Sequence, residues 1–140
     1  MATTLEAEHL FTITAYTGDR KVIQNGPAGT RVIVPVTGGT FEGEKLKGTV
    51  AEAPGGDWVT ARPDGSVKLD VRLLLQTDDG AAILMTYLGI GVPGDDGLKI
   101  RSAPTFETGD ERYAWLNHVQ AVGIGAPGEG SVRYEVYRLL

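Results

Sequence analysis

Apolar and polar residues alternate in short runs along most of this chain, and each run stops at a cluster of Gly, Pro, Asp or Asn. A period of two marks a strand with one buried face, and few segments show the 3.6 period of an amphipathic helix. The runs fall at residues 10–17, 20–24, 31–36, 45–52, 58–62, 66–77, 81–90, 98–106, 115–124 and 131–140. Residues 107–113 are polar and suit one helical turn. Pro63-Asp64-Gly65 has turn chemistry, since Pro presets φ and Gly accepts positive φ, and Asp78-Asp79-Gly80 reads as a hairpin turn. The 20 glycines and 7 prolines show no collagen-like period and sit between apolar runs, so they punctuate a folded domain. About nine or ten strands with short connections predict an all-β fold, a single antiparallel β-barrel domain spanning 1–140. A barrel is preferred to a sandwich because closure removes exposed strand edges.

The remaining composition narrows the function classes. The 18 acidic residues against 13 Lys and Arg give a net charge of −5 with no basic stripe, which argues against nucleic acid as a partner. There is no cysteine, hence no disulfide framework, thiolate metal site or cysteine nucleophile. The N-terminus lacks a basic segment followed by an apolar one, and no apolar run reaches the ~20 residues of a membrane helix. A cytoplasmic protein with no membrane partner is expected. The nucleophile-elbow, phosphate-loop and dinucleotide-binding patterns are missing, and no cofactor is expected. His9 and His118 lie far apart without an acidic residue at ligand spacing, so no metal site is expected.

The segments Val36-Thr37-Gly38-Gly39-Thr40-Phe41-Glu42-Gly43 and Leu46-Lys47-Gly48-Thr49-Val50 have a family likeness. It continues through Gly56-Asp57-Trp58, Arg62-Pro63-Asp64-Gly65, Leu69-Asp70-Val71-Arg72 and Thr77-Asp78-Asp79-Gly80-Ala81. Pro104-Thr105-Phe106-Glu107-Thr108-Gly109 and Arg112-Tyr113-Ala114-Trp115-Leu116-Asn117 complete it. In this order the segments resemble the DUF3237 proteins, also called UPF0311, over about residues 10–137. The resemblance implies a compact barrel similar to allene oxide cyclase and lipocalin-like barrels, and it implies little chemistry.

Candidate site residues come from the strand faces. In 66–77, Val67, Leu69, Val71, Leu73 and Leu75 form an apolar face, while Lys68, Asp70, Arg72 and Gln76 share the other face with Leu74. Two placements fit: the apolar face fills the barrel, or it packs on a partner while Asp70 and Arg72 point into a polar lumen. In the second, Asp70 is a general base and Arg72 its ion-pair partner or an anion ligand. Tyr87 shares a face with Ala81, Ile83 and Met85 and brings a hydroxyl to an apolar wall. Glu107, beside Phe106, is a carboxyl whose pKa rises if it is buried. For ligand binding, Trp58 offers an aromatic wall with Asp57 at the mouth, and Tyr113, Trp115 and Asn117 share one face of a strand. The structural alternatives are a core anchor with a turn aspartate, and a satisfied core network.

Three functions remain open. The first is an enzyme without cofactor, an isomerase, cyclase or lyase, with a carboxylate acid/base acting on a small apolar or aromatic molecule in the lumen. The second is a carrier using the same lumen. The third is an interaction protein whose contact surface is the Val67–Leu75 apolar face. A homodimer or higher homo-oligomer fits all three.

Overall fold

The computed structural model describes residues 1–140. Its strands are β1 (Ala7–Thr17), β2 (Lys21–Gly26), β3 (Gly29–Glu42), β4 (Lys47–Val50), β5 (Gly56–Ala61), β6 (Val67–Thr77), β7 (Ala82–Gly94), β8 (Gly97–Ser102), β9 (Thr105–Glu107), β10 (Ala121–Gly128) and β11 (Ser131–Leu139). All pair antiparallel. The order β1-β3-β5-β6-β7-β8-β10-β11 returns to β1 and closes an eight-stranded ring. The eleven strands occupy eight staves because three staves are broken. Strand β2 continues β1 upward along β3, β4 sits below β5 between β3 and β6, and β9 follows β8 along β7. No helix is long and apolar enough to cross a membrane.

The strand count exceeds the expected nine or ten because the run 98–106 divides at Ala103-Pro104 into β8 and β9. Gly38 and Gly39 have φ of 148° and 143°, and a Cβ on Gly39 would stand 2.1 Å from the Thr14 carbonyl oxygen. This bulge lets β3 run on against β1 while its inward side chains switch from Val36 to Phe41. The predicted turns form as their chemistry requires. Gly65 has φ of 88°, and Asp64 Oδ1 accepts the Ser66 N–H at 2.9 Å.

One expected strand is a helix. Residues Glu111–His118 form a 3-10 helix capped by Asp110, whose carboxylate accepts the Arg112 N–H. The strand begins only at Ala121. Tertiary burial outweighs local propensity here, because the helix inserts Leu116, 0% exposed, into one end of the barrel. Phe11 packs edge-to-face on Phe41 and Phe106 at 5.5 and 5.9 Å in the same core, which closes this end.

The apolar face of β6 points inward: Leu69, Val71, Leu73 and Leu75 are buried, whereas Lys68, Asp70, Arg72 and Gln76 are exposed. The expectation that Asp70 and Arg72 line a polar lumen is therefore corrected. The same placement removes Val67–Leu75 as a contact surface for a partner. Burying four aliphatic side chains, with Val67 partly buried beside them, at ~25 cal/mol per Å² outweighs any salt bridge that an inverted strand would gain.

Candidate functional site

The end opposite the helix is open. A cavity of about 670 Å³ runs into the barrel there, and 14 of its 23 lining residues are hydrophobic, as small-molecule sites usually are. Its rim is the bend Thr17–Arg20 between β1 and β2 and the turn from Pro127 to Ser131 between β10 and β11. The bend is pinned, with Gly18 N–H donating to the Pro35 carbonyl at 2.9 Å and Thr17 N–H to the Gly130 carbonyl at 3.0 Å.

Inside, Val34, Asp57, Val71 and Tyr87 form one row across β3, β5, β6 and β7. Neighbouring strands lie about 4.8 Å apart, so Asp57 and Tyr87 flank Val71 with their side chains turned into the same space. The β5–β6 ladder skips Trp58 and Val59. At that gap Asp57 Oδ1 accepts the Asp70 N–H at 3.2 Å, and Oδ2 has no hydrogen-bonded partner. Burial lifts the Asp57 carboxyl from 3.8 to about 7; the negative charge of Asp70 adds to the rise and the Asp70 N–H opposes it. Asp57 is thus poised to exchange a proton near neutral pH.

Tyr87 is 3% exposed and Tyr134, on β11, 2%. Their rings meet edge-to-face at 5.3 Å. Burial raises the pKa of both phenols, with the field of Asp57 contributing to each, so both remain protonated hydrogen-bond donors. The Tyr134 hydroxyl is shielded from solvent and makes no hydrogen bond of ordinary geometry, although the Tyr87 hydroxyl is close enough to influence its ionisation. Two glycines face this ring: a Cβ on Gly125 would stand 2.3 Å from Tyr134 Cδ1, and one on Gly123 would stand 3.4 Å from the same atom.

Of the residues singled out in the sequence, the lumen gathers Asp57 and Tyr87. Asp57 lies within the barrel rather than only at its mouth, and Trp58 points the other way, 44% exposed on the outer wall. Glu107 is exposed on β9, outside the barrel, so its carboxyl is not buried against aromatics. Tyr113, Trp115 and Asn117 belong to the helix at the closed end and do not share a strand face. There Tyr113 donates to Asp79 Oδ2 at 2.7 Å. Trp115 lies between Lys45 and Arg138, at 5.6 and 5.9 Å. Asn117 braces the loop through both Thr108 N–H and Thr108 carbonyl. Tyr134 escaped sequence reasoning. Its signal is the glycine pair at 123 and 125, a spacing of two in a strand that faces one large ring.

A family model described as a protein of unknown function (DUF3237) matches residues 5–139. The chain belongs to the DUF3237 family. Among its DUF3237 relatives, UPF0311 protein RPA1785 of Rhodopseudomonas palustris is 33% identical with the whole of both chains covered. The crystal structure of RPA1785 superposes with a TM-score of 0.91, covering 99% of this chain and 100% of the other. A beta-barrel like protein from Acinetobacter baumannii gives a TM-score of 0.92 at 29% identity over 100% and 99% of the two chains. A protein named Hydroalkoxylation enzyme phnH, from Penicillium herquei, is 33% identical over 117 residues, covering 83% of this chain and 71% of its own.

Proposed function

We propose that this DUF3237 barrel binds small apolar molecules in its lumen and moves a proton on them without a cofactor, with Asp57 as general acid and base and Tyr87 as hydrogen-bond donor. The observation that carries this reading is a carboxyl raised to about 7 within an apolar, single-mouthed cavity. It replaces Asp70 and Glu107, both outside the lumen, as the carboxylate of an isomerase, cyclase or lyase. The name of the Penicillium relative suggests the reaction type to try first. In adding an O–H group across a C=C bond, the protonated carboxyl gives its proton to one alkene carbon. The substrate oxygen bonds the other carbon, the π bond is consumed, and the carboxylate takes the hydroxyl proton and is restored. A group titrating near 7 serves both halves at neutral pH. Tyr87 holds the substrate oxygen in place through a hydrogen bond to a lone pair that is not used in bonding carbon.

The test is incubation of the protein in D2O with a panel of ortho-allyl and ortho-prenyl phenols, followed by proton NMR. Cyclised product carrying one deuterium on carbon, formed by the wild type and lost in Asp57→Asn, supports the reading. Product formation unchanged in Asp57→Asn refutes it. Binding across the panel with no deuterium incorporation points to the carrier function instead.

A further inference from the structure

The closed end of the barrel leaves one way in, so a ligand meets the rim first and the Asp57–Tyr87 row afterwards. The charged residues lining the cavity are Asp19 and Arg20 at the rim and Asp57 inside. No cation lines the inner part. A ligand carboxylate pushed to that depth would sit in an apolar enclosure beside an acid, with no positive charge to offset its lost hydration. An uncharged oxygen meets the opposite situation. The Tyr87 hydroxyl donates, and one oxygen of Asp57 is anchored to the Asp70 N–H at 3.2 Å, which leaves the other to carry the acid proton toward the ligand.

We propose that the lumen selects uncharged molecules bearing a hydrogen-bond-acceptor oxygen, aryl ketones and ethers among them. The oxygen end enters first to lie between Asp57 and Tyr87, and carboxylates of the same skeleton are refused. This rests on the lumen being the working site, and it adds what that site accepts and in which orientation. The cavity volume of about 670 Å³ accommodates a bicyclic aromatic body with its substituent. The titratable groups around Asp57 are Asp70 on β6, Tyr87 on β7 and Tyr134 on β11, with Asp19 and Arg20 at the rim. With burial holding Asp57 near 7, the donor form predominates in mild acid. Ketone binding should therefore weaken by about thirtyfold from pH 6.0 to 8.5 if only that form binds.

The experiment is isothermal titration calorimetry of the whole chain with 2-acetylnaphthalene and 2-naphthoate, which share one bicycle and differ in charge. At pH 6.0 the ketone is expected to bind at least tenfold more tightly than the carboxylate. Tyr87→Phe should cost the ketone about fivefold to tenfold, and Asp57→Asn should flatten its pH dependence. Val32→Trp, placed to narrow the lumen and checked for folding by circular dichroism, should weaken the ketone further. Equal or tighter binding of 2-naphthoate overturns the proposal. So does ketone affinity indifferent to both Tyr87→Phe and Asp57→Asn, or binding of neither probe. The deuterium experiment judges the proton-transfer reading separately: incorporation lost in Asp57→Asn preserves that reading even when the ligand preference fails.

Discussion

Asp57→Asn keeps the side chain's shape and its capacity to accept the Asp70 N–H, and removes the charge. In the native protein the carboxyl titrates at about 7 instead of 3.8. The folded state therefore holds a proton that the unfolded chain releases between those values. The sign follows: wherever the native state binds more protons, stability falls as pH rises. The contribution is fully present below about pH 4, declines through neutrality and is gone above about pH 7. From 3.8 to about 7 is about 3 units, and at ~1.36 kcal/mol per unit this corresponds to about 4 kcal/mol. The cavity opens to solvent, which screens the charge, so about 2–4 kcal/mol is the working range. Asn carries no such penalty. The variant should match the wild type near pH 3.5 and exceed it by about 2–4 kcal/mol at pH 8, or roughly 6–12 °C in Tm for a domain of this size. Thermal unfolding followed by circular dichroism from pH 3.5 to 8.5 measures the difference. A gap between variant and wild type that stays constant with pH would refute a buried, proton-holding Asp57. A gain in stability at pH 8 with loss of turnover is the pattern of a site kept for function at a cost to the fold.

The other predictions concern the walls. Gly125→Ala places a Cβ 2.3 Å from Tyr134 Cδ1 and should destabilise by about 1–3 kcal/mol in urea unfolding. Adding Tyr134→Leu should recover part of the loss, and strict additivity would contradict the packing described. Phe11→Ala removes the ring that joins Phe41 and Phe106 and should cost about 3–5 kcal/mol. Because that loss lies at the closed end, the pH dependence attributed to Asp57 should survive it. Arg72→Ala and Glu107→Gln lie on the outer surface and should each stay within about 0.5 kcal/mol of the wild type, with deuterium incorporation intact. A lost activity in either of them would return that residue to the site. Tyr87→Phe should lower turnover while leaving the Asp57-dependent slope of stability against pH, and no change in turnover would remove Tyr87 from the mechanism.

The all-β character, the turns and the division of 66–77 into an apolar row from Val67 to Leu75 and a mostly polar one were determined by the sequence alone, because alternation and turn chemistry are local and need only a few neighbouring residues. Tyr87 could be placed on an apolar face for the same reason. The direction of Asp70 and Arg72 was open in the sequence, since period two separates two faces without saying which is inside. Closure of the ring decided it by burying the face with more apolar area. The helix at Glu111–His118 also depended on the tertiary structure, because its reason for forming is the barrel end that Leu116 fills. Above all, Asp57 reads in sequence as a turn aspartate or a ligand contact at the mouth, beside a tryptophan, and not as an acid/base. Its raised pKa comes from burial among β3, β6 and β7 and from the negative charge of Asp70 on the neighbouring strand. Desolvation depends on the three-dimensional surroundings of a group, and only the folded barrel supplies them.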